Sequence, residues 1–140
     1  MSQLATFVER YIKYPALRHR IIAVLETLPH EVVQDLLNDG RFTMVVYDPN
    51  DGPHTKFHIP LPGVGDEGSR MIAWKISLAE APLDFANYVI AHEFAHAHLR
   101  NRGRTYDEDP EDAADALAAQ WGYDKPLSAM RFTWWRRAGQ

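Results

Sequence analysis

The N-terminal part of the chain carries apolar residues at the three- and four-residue spacing of amphipathic helices. After Ser2, a possible N-cap, one helical face carries Leu4, Phe7, Val8, Tyr11 and Ile12. Pro15 interrupts this pattern, and a second apolar stripe follows at Ile21, Ile22, Val24, Leu25 and Leu28. Pro29 suits the first position of a helix, and Gly40 suits the position just after a helix ends. Together they predict a short helix around residues 30–38. The pattern predicts two or three helices packed on another layer.

From residue 42 the pattern becomes that of β-strands. FTMVVYD is β-branched and apolar, PNDG at 49–52 predicts a turn, and KFHIPL predicts a second short strand. The loop PGVGDEG follows; it contains G-x-G-x-x-G, but no helix follows it, so the nucleotide-binding interpretation fails. The segment 70–78, which contains MIAWKISL, predicts another strand.

The C-terminal half returns to helices. The longest candidate covers roughly 82–101, with Pro82 near its start and Gly103 just past its end. Asp109 and Pro110 open a last helix, which Gly122 closes. With no internal repeat and no low-complexity linker, residues 1–140 are predicted to form a single α+β domain.

The amino-acid composition of the chain argues against several classes of function. The 140 residues are 46% hydrophobic and 24% charged, as in an ordinary folded domain, and the formal net charge of −4 argues against general nucleic-acid binding. No cysteine is present, so a transition-metal site must use histidines and carboxylates. The N-terminal segment has no apolar run like a signal peptide, and no run approaches the roughly 18 residues of a membrane span. We expect a soluble, cytoplasmic protein without nucleic-acid or membrane partners.

The candidate chemistry lies in HEFAH, residues 92–96. On a helix this spacing places His92 and His96 on one face, about 6 Å apart along the axis, where both imidazoles can bind one zinc ion. Glu93 is then placed to act as base towards a zinc-activated water. The alternative is that His and Glu lie on a surface helix and serve only solubility. Apolar residues surround the motif, however, and they are Val89, Ile90, Phe94, Ala97 and Leu99. Ionisable groups on such a buried helix need a strong partner, and a metal ion supplies one.

A third ligand is expected downstream, in EDAAD at residues 111–115. Glu111 and Asp115 lie on one helical face, and the small side chains of Ala113, Ala114, Ala116, Ala118 and Ala119 would allow close approach of the two helices. Acids in a first helical turn also favour the helix dipole, which explains Glu111 and Asp112 well but Asp115 less well. The residues themselves leave both Glu111 and Asp115 open as the third ligand.

HEFAH followed by EDAADALAA resembles the gluzincin-type zinc metallopeptidases, closest to the ImmA/IrrE and HtpX-like membrane peptidase patterns. The resemblance covers about residues 70–122. It implies a minimal zincin-like domain: N-terminal helices, a small, mostly antiparallel sheet, the HExxH helix and a following ligand helix. It also implies Glu111 as third zinc ligand and Asp115 as a supporting partner of a ligating histidine. The gap from His96 to Glu111 is shorter than in those families, which leaves Asp115 as the alternative ligand.

The expected function is zinc-dependent hydrolysis of peptide bonds in a protein or peptide substrate, with Glu93 as general base. The resemblance further implies that strand 70–78 binds an extended substrate along its edge. The alternative is a non-proteolytic zincin-fold module that binds metal or senses a partner. A donor that stabilises the transition state is expected near the zinc, and the sequence leaves open Tyr106, Tyr123 and His98.

Overall fold

A computed structural model describes residues 3–40, 42–47, 71–101 and 110–126. In chain order these form helices α1 (Gln3–Tyr11), α2 (Pro15–Leu25) and α3 (His30–Leu37), strands β1 (Met44–Tyr47) and β2 (Ile72–Lys75), a 3-10 helix (Ile76–Ala79), and helices α4 (Leu83–Asn101) and α5 (Pro110–Gln120). The predicted α+β class is confirmed. The predicted turn at 49–52, the predicted strand KFHIPL, and Gly103 and Tyr106 lie outside the described residues.

Prolines lie at the starts of α2 and α3. Pro15 occupies the first turn of α2, where its missing N–H costs no hydrogen bond. Pro29 lies one residue before the predicted position, at the N-cap of α3, and its carbonyl accepts the backbone N–H of Val33 at 3.1 Å. The predicted α3 is therefore confirmed with this shift.

The sheet corrects the prediction of mostly antiparallel strands. The two described strands pair in parallel, with Met44 opposite Ile72 and Tyr47 opposite Lys75. A parallel pair needs a long return connection, and residues 48–71 separate these strands by enough chain to provide it. The antiparallel prediction is therefore wrong for the described pair of strands.

The strand predicted for 70–78 is also too long. β2 ends at Lys75, after its alternating residues Ile72 and Trp74 have turned into the core, and the 3-10 helix then buries Leu78. Arg20 of α2 donates hydrogen bonds to the carbonyls of Leu78 (2.7 Å) and Ala81 (2.8 Å). The chain thus leaves the sheet at Lys75 by turning into the 3-10 helix, and Arg20 fastens the end of this segment to α2.

Helix α4 is the central element. The carbonyl of Pro82 accepts the backbone N–H of Ala86 at 2.9 Å, and between Phe85 and His98 every residue is buried except Asn87 and Glu93. Such all-round burial is typical of a helix in the middle of a core. The prediction that apolar neighbours bury the HEFAH helix is confirmed.

A chain of aromatic rings connects α4 to the N-terminal helices and the sheet. Phe7 stacks on Phe42 with ring centroids 5.7 Å apart, Phe42 lies 6.1 Å from Phe94, and Phe94 meets Trp74 edge-on at 5.5 Å. Such pairs contribute about 0.5–1.5 kcal/mol each beyond burial. Phe94 belongs to HEFAH, so the third residue of the motif is anchored in the core.

Helix α5 ends in a turn that requires glycine. Gly122 has φ of 98°, and the N–H of Tyr123 bonds the carbonyl of Ala118 (2.9 Å) while the N–H of Gly122 bonds that of Ala119 (3.0 Å). This is the Schellman arrangement. The prediction that Gly122 closes the helix is confirmed.

We expect Gly122→Ala to lower the free energy of unfolding by about 1–2 kcal/mol, the cost of a left-handed backbone for an L-residue. No atom lies within 4 Å of the added Cβ, so the cost comes from the backbone alone. The matched control is Gly40→Ala, which also meets open space but has no positive φ and should be neutral or slightly stabilising. Urea unfolding of the three proteins measures the difference; equal stability of the two variants would contradict the argument.

Candidate metal centre

Tyr88, His92 and His96 follow one face of α4, because residues four apart lie almost above one another on a helix. All three are buried. The ring centroids of Tyr88 and His92 are 5.7 Å apart, and those of His92 and His96 are 4.6 Å apart with the rings nearly perpendicular at 89°. The two histidines of the motif are thus adjacent, as their spacing predicts.

Helix α5 brings Asp115 to this face. One carboxylate oxygen, Oδ1, lies 2.8 Å from Nδ1 of His92 and also accepts the hydroxyl of Tyr88 at 2.5 Å. A carboxylate oxygen accepts hydrogen bonds, so Nδ1 of His92 is the donor in this contact, and in the neutral imidazole the lone pair then lies on Nε2. That lone pair is the one a metal ion would use.

The packing of α5 on α4 follows from the small residues of α5. Ala114 and Ala118, four apart, are fully buried, whereas Ala116 and Ala119 are exposed. A stripe of methyl groups lets the helix backbone approach closely, and Asp115 is next to that stripe. The side chain of Asp115 is 28% exposed, so its carboxylate keeps contact with solvent while it binds the buried His92.

The other predicted site residues take different positions. Glu93 is half-buried, at one of the two places where the core part of α4 reaches the surface. Asp112 is exposed. Glu111 belongs to the first turn of α5, and its side chain lies outside the described part. Asp115 contacts a predicted ligand directly, whereas Glu111 remains a ligand by resemblance only.

Two of the three candidate transition-state donors are held elsewhere. Nδ1 of His98 lies 2.7 Å from Oδ2 of Asp35, which ties α4 to α3 on a buried face. The hydroxyl of Tyr123 shares a hydrogen bond with the hydroxyl of Thr27, joining the end of α5 to the end of α2. Both residues connect helices rather than extend the histidine face.

Tyr88 is the site residue that the sequence analysis missed. Its signal was available, because Tyr88 precedes His92 by the same four residues that separate His92 from His96. A tyrosine on a buried helix is more often a core residue, and only the position of Asp115 reveals what its hydroxyl binds.

The side chains present fit a zinc ion in donor chemistry. Two neighbouring imidazoles on one helix turn, one held at Nδ1 by a carboxylate, are typical of zinc ligands with their supporting partner. Within residues 3–40, 42–47, 71–101 and 110–126, no group of three or more His, Asp or Glu side chains is placed to hold a metal ion. Glu111, whose side chain lies outside this part, stays the predicted third ligand, and Asp115 stays the alternative.

No family model, curated protein or solved structure matches this chain. The likeness to gluzincin-type peptidases therefore stays a prediction from HEFAH and EDAAD. None of the helices in the described ranges has the length and apolar character needed to cross a membrane.

Proposed function

We propose that the chain is a zinc-dependent peptidase in which His92 and His96 hold the metal and Glu93 is the general base. The observation that carries the proposal is the contact between Asp115 Oδ1 and His92 Nδ1 at 2.8 Å, made between two separate helices. A carboxylate in this position orients a ligating imidazole and increases its basicity. It also explains why the chain places an acid at residue 115, which a first-turn dipole effect explains poorly.

The ligand set we propose is His92, His96 and Glu111, with Asp115 as the partner of His92. Asp115 Oδ1 is occupied by the two donors Tyr88 and His92, which favours the supporting role over direct ligation. Glu111 comes one helical turn earlier, and it enters from the motif resemblance. When bound, zinc supplies a Lewis acid that polarises the scissile carbonyl and makes water more acidic.

Glu93 is the residue we assign to proton transfer. It takes a proton from the attacking water and returns it to the leaving amine nitrogen, so the peptide bond is broken with no net change in Glu93. Its partial exposure next to the buried histidines allows water and a substrate to reach it. A purely structural zinc site would need no base beside its ligands, so Glu93 favours an enzyme over the metal-binding or partner-sensing module.

The substrate class we propose is a peptide or protein, and the setting a soluble, cytoplasmic one. The test combines metal analysis of the purified protein with cleavage of casein and a mixed peptide library, before and after treatment with a chelator. We expect close to one zinc per chain, and cleavage that is lost with the chelator and restored by added zinc. Cleavage that survives removal of all metal would overturn the proposal. Stoichiometric zinc without cleavage of any library peptide would favour the non-proteolytic module.

A further inference from the structure

Tyr88 is buried on the same face of α4 as His92 and His96, with 1% of its surface exposed. Its ring packs against the imidazole of His92, with 5.7 Å between the centroids and a tilt of 43°. Its hydroxyl donates to Asp115 across the α4–α5 boundary at 2.5 Å. One side chain therefore touches both members of the Asp115–His92 pair.

The two donors converge on the same oxygen. Because Oδ1 accepts both the Tyr88 hydroxyl and His92 Nδ1–H, rotation of the carboxylate would break two hydrogen bonds at once. Asp115 is partly exposed, and water would otherwise compete for its oxygens. A buried donor at fixed distance keeps Oδ1 turned towards α4 against that competition.

We propose that Tyr88 is a positioning residue that fixes Asp115 and, through it, the Nδ1–H tautomer of His92. This inference rests on the proposed function, because the Nδ1–H tautomer leaves Nε2 free to bind zinc. The hydroxyl is directed at Asp115, so Tyr88 acts through another residue and takes no part in the reaction itself. Tyr88, Asp115 and His92 form one relay that prepares the first ligand before any metal binds.

The first test is the zinc affinity of Tyr88→Phe, measured by competition with a colorimetric chelator. This variant keeps the ring against His92 and removes only the hydroxyl. We expect affinity to fall about tenfold, the lower end of the range for outer partners of ligating histidines. The matched control is Tyr11→Phe, which removes the hydroxyl of a partly buried tyrosine that packs on Phe7 of α1, and it should keep the parental affinity.

A double-mutant cycle separates positioning from a general structural effect. Asp115→Ala alone should cost about 10–100-fold in zinc affinity. In that background Tyr88→Phe should have no further effect, because the hydroxyl has lost the residue through which it acts. A second tenfold loss there, or parental affinity in folded Tyr88→Phe, would overturn the proposal.

The tautomer of His92 gives a readout that needs neither metal nor substrate. In the metal-free protein, ¹⁵N NMR should show His92 with its proton on Nδ1, and Tyr88→Phe should give a mixture of both tautomers while Tyr11→Phe does not. A parental protein with the proton on Nε2, or the same tautomer population in Tyr88→Phe, contradicts the relay. If the parental protein binds no zinc or cleaves nothing, the proposed function fails, and this measurement still decides the role of Tyr88.

Discussion

Glu93→Gln is expected to retain zinc and fold while losing peptide hydrolysis by at least about 100-fold, since general acid–base groups contribute roughly 10²–10⁴. The amide has nearly the same size and helix propensity as the acid, but it cannot accept a proton from water. Because Glu93 is only half-buried, the substitution places no new unpaired group deep in the core. Cleavage rates of a library peptide, zinc content and the unfolding midpoint are measured on the same preparation.

The control for this experiment is Glu80→Gln, the same loss of charge at an exposed residue shortly before α4. It should cleave at the parental rate. If Glu93→Gln also cleaves at the parental rate, Glu93 is not the base, and the proposal of a peptidase is wrong. If both variants slow equally, the effect comes from net charge rather than from a catalytic carboxylate.

His92→Ala and His96→Ala are each expected to remove most of the bound zinc. Either change leaves too few side chains to complete a tetrahedral site, so the loss of affinity should exceed the roughly 10–100-fold that supporting residues cost. By the same reasoning Glu111→Ala should weaken binding more than Asp115→Ala. Zinc is measured by elemental analysis after gel filtration against a weak chelator.

Exposed histidines provide the comparison. His19→Ala and His30→Ala change surface residues of α2 and α3 and should keep one zinc per chain. His98→Ala tests whether the loss of any buried histidine from α4 releases zinc. His98 is buried on the same helix as the two predicted ligands, but its Nδ1 binds Asp35. That variant should lose stability without losing zinc. Stoichiometric zinc in the double variant of His92 and His96 would refute the site assignment.

The helices and the histidine pair could be predicted from sequence because their signals are local. Pro82 directly precedes α4, Gly122 ends α5, and a four-residue spacing fixes which side chains share a face of a helix. The contact from Asp115 to His92 was expected from the motif resemblance as one of several possibilities. It depends on how two helices pack, which spacing alone does not determine.

The errors concern features set by distant parts of the chain. The direction of β2 relative to β1 depends on the path of the segment between them, which local sequence signals do not determine. β2 ends where the 3-10 helix begins, and the segment that follows binds Arg20, more than fifty residues earlier, through the carbonyls of Leu78 and Ala81. Tyr88 was missed for the same reason, since its partner lies on another helix.

The burial of α4 restricts how this protein can change over evolution. Of the positions from Phe85 to His98, only Asn87 and Glu93 reach the surface, and Glu93 is the proposed base. A substitution at any of the other positions would disturb the packing of the core rather than change substrate recognition, because Phe94 and its neighbours fill the core. New specificity would therefore have to arise in other segments around the site, while the helix that carries the chemistry stays nearly constant. Directed evolution libraries should leave α4 intact and vary the chain around it.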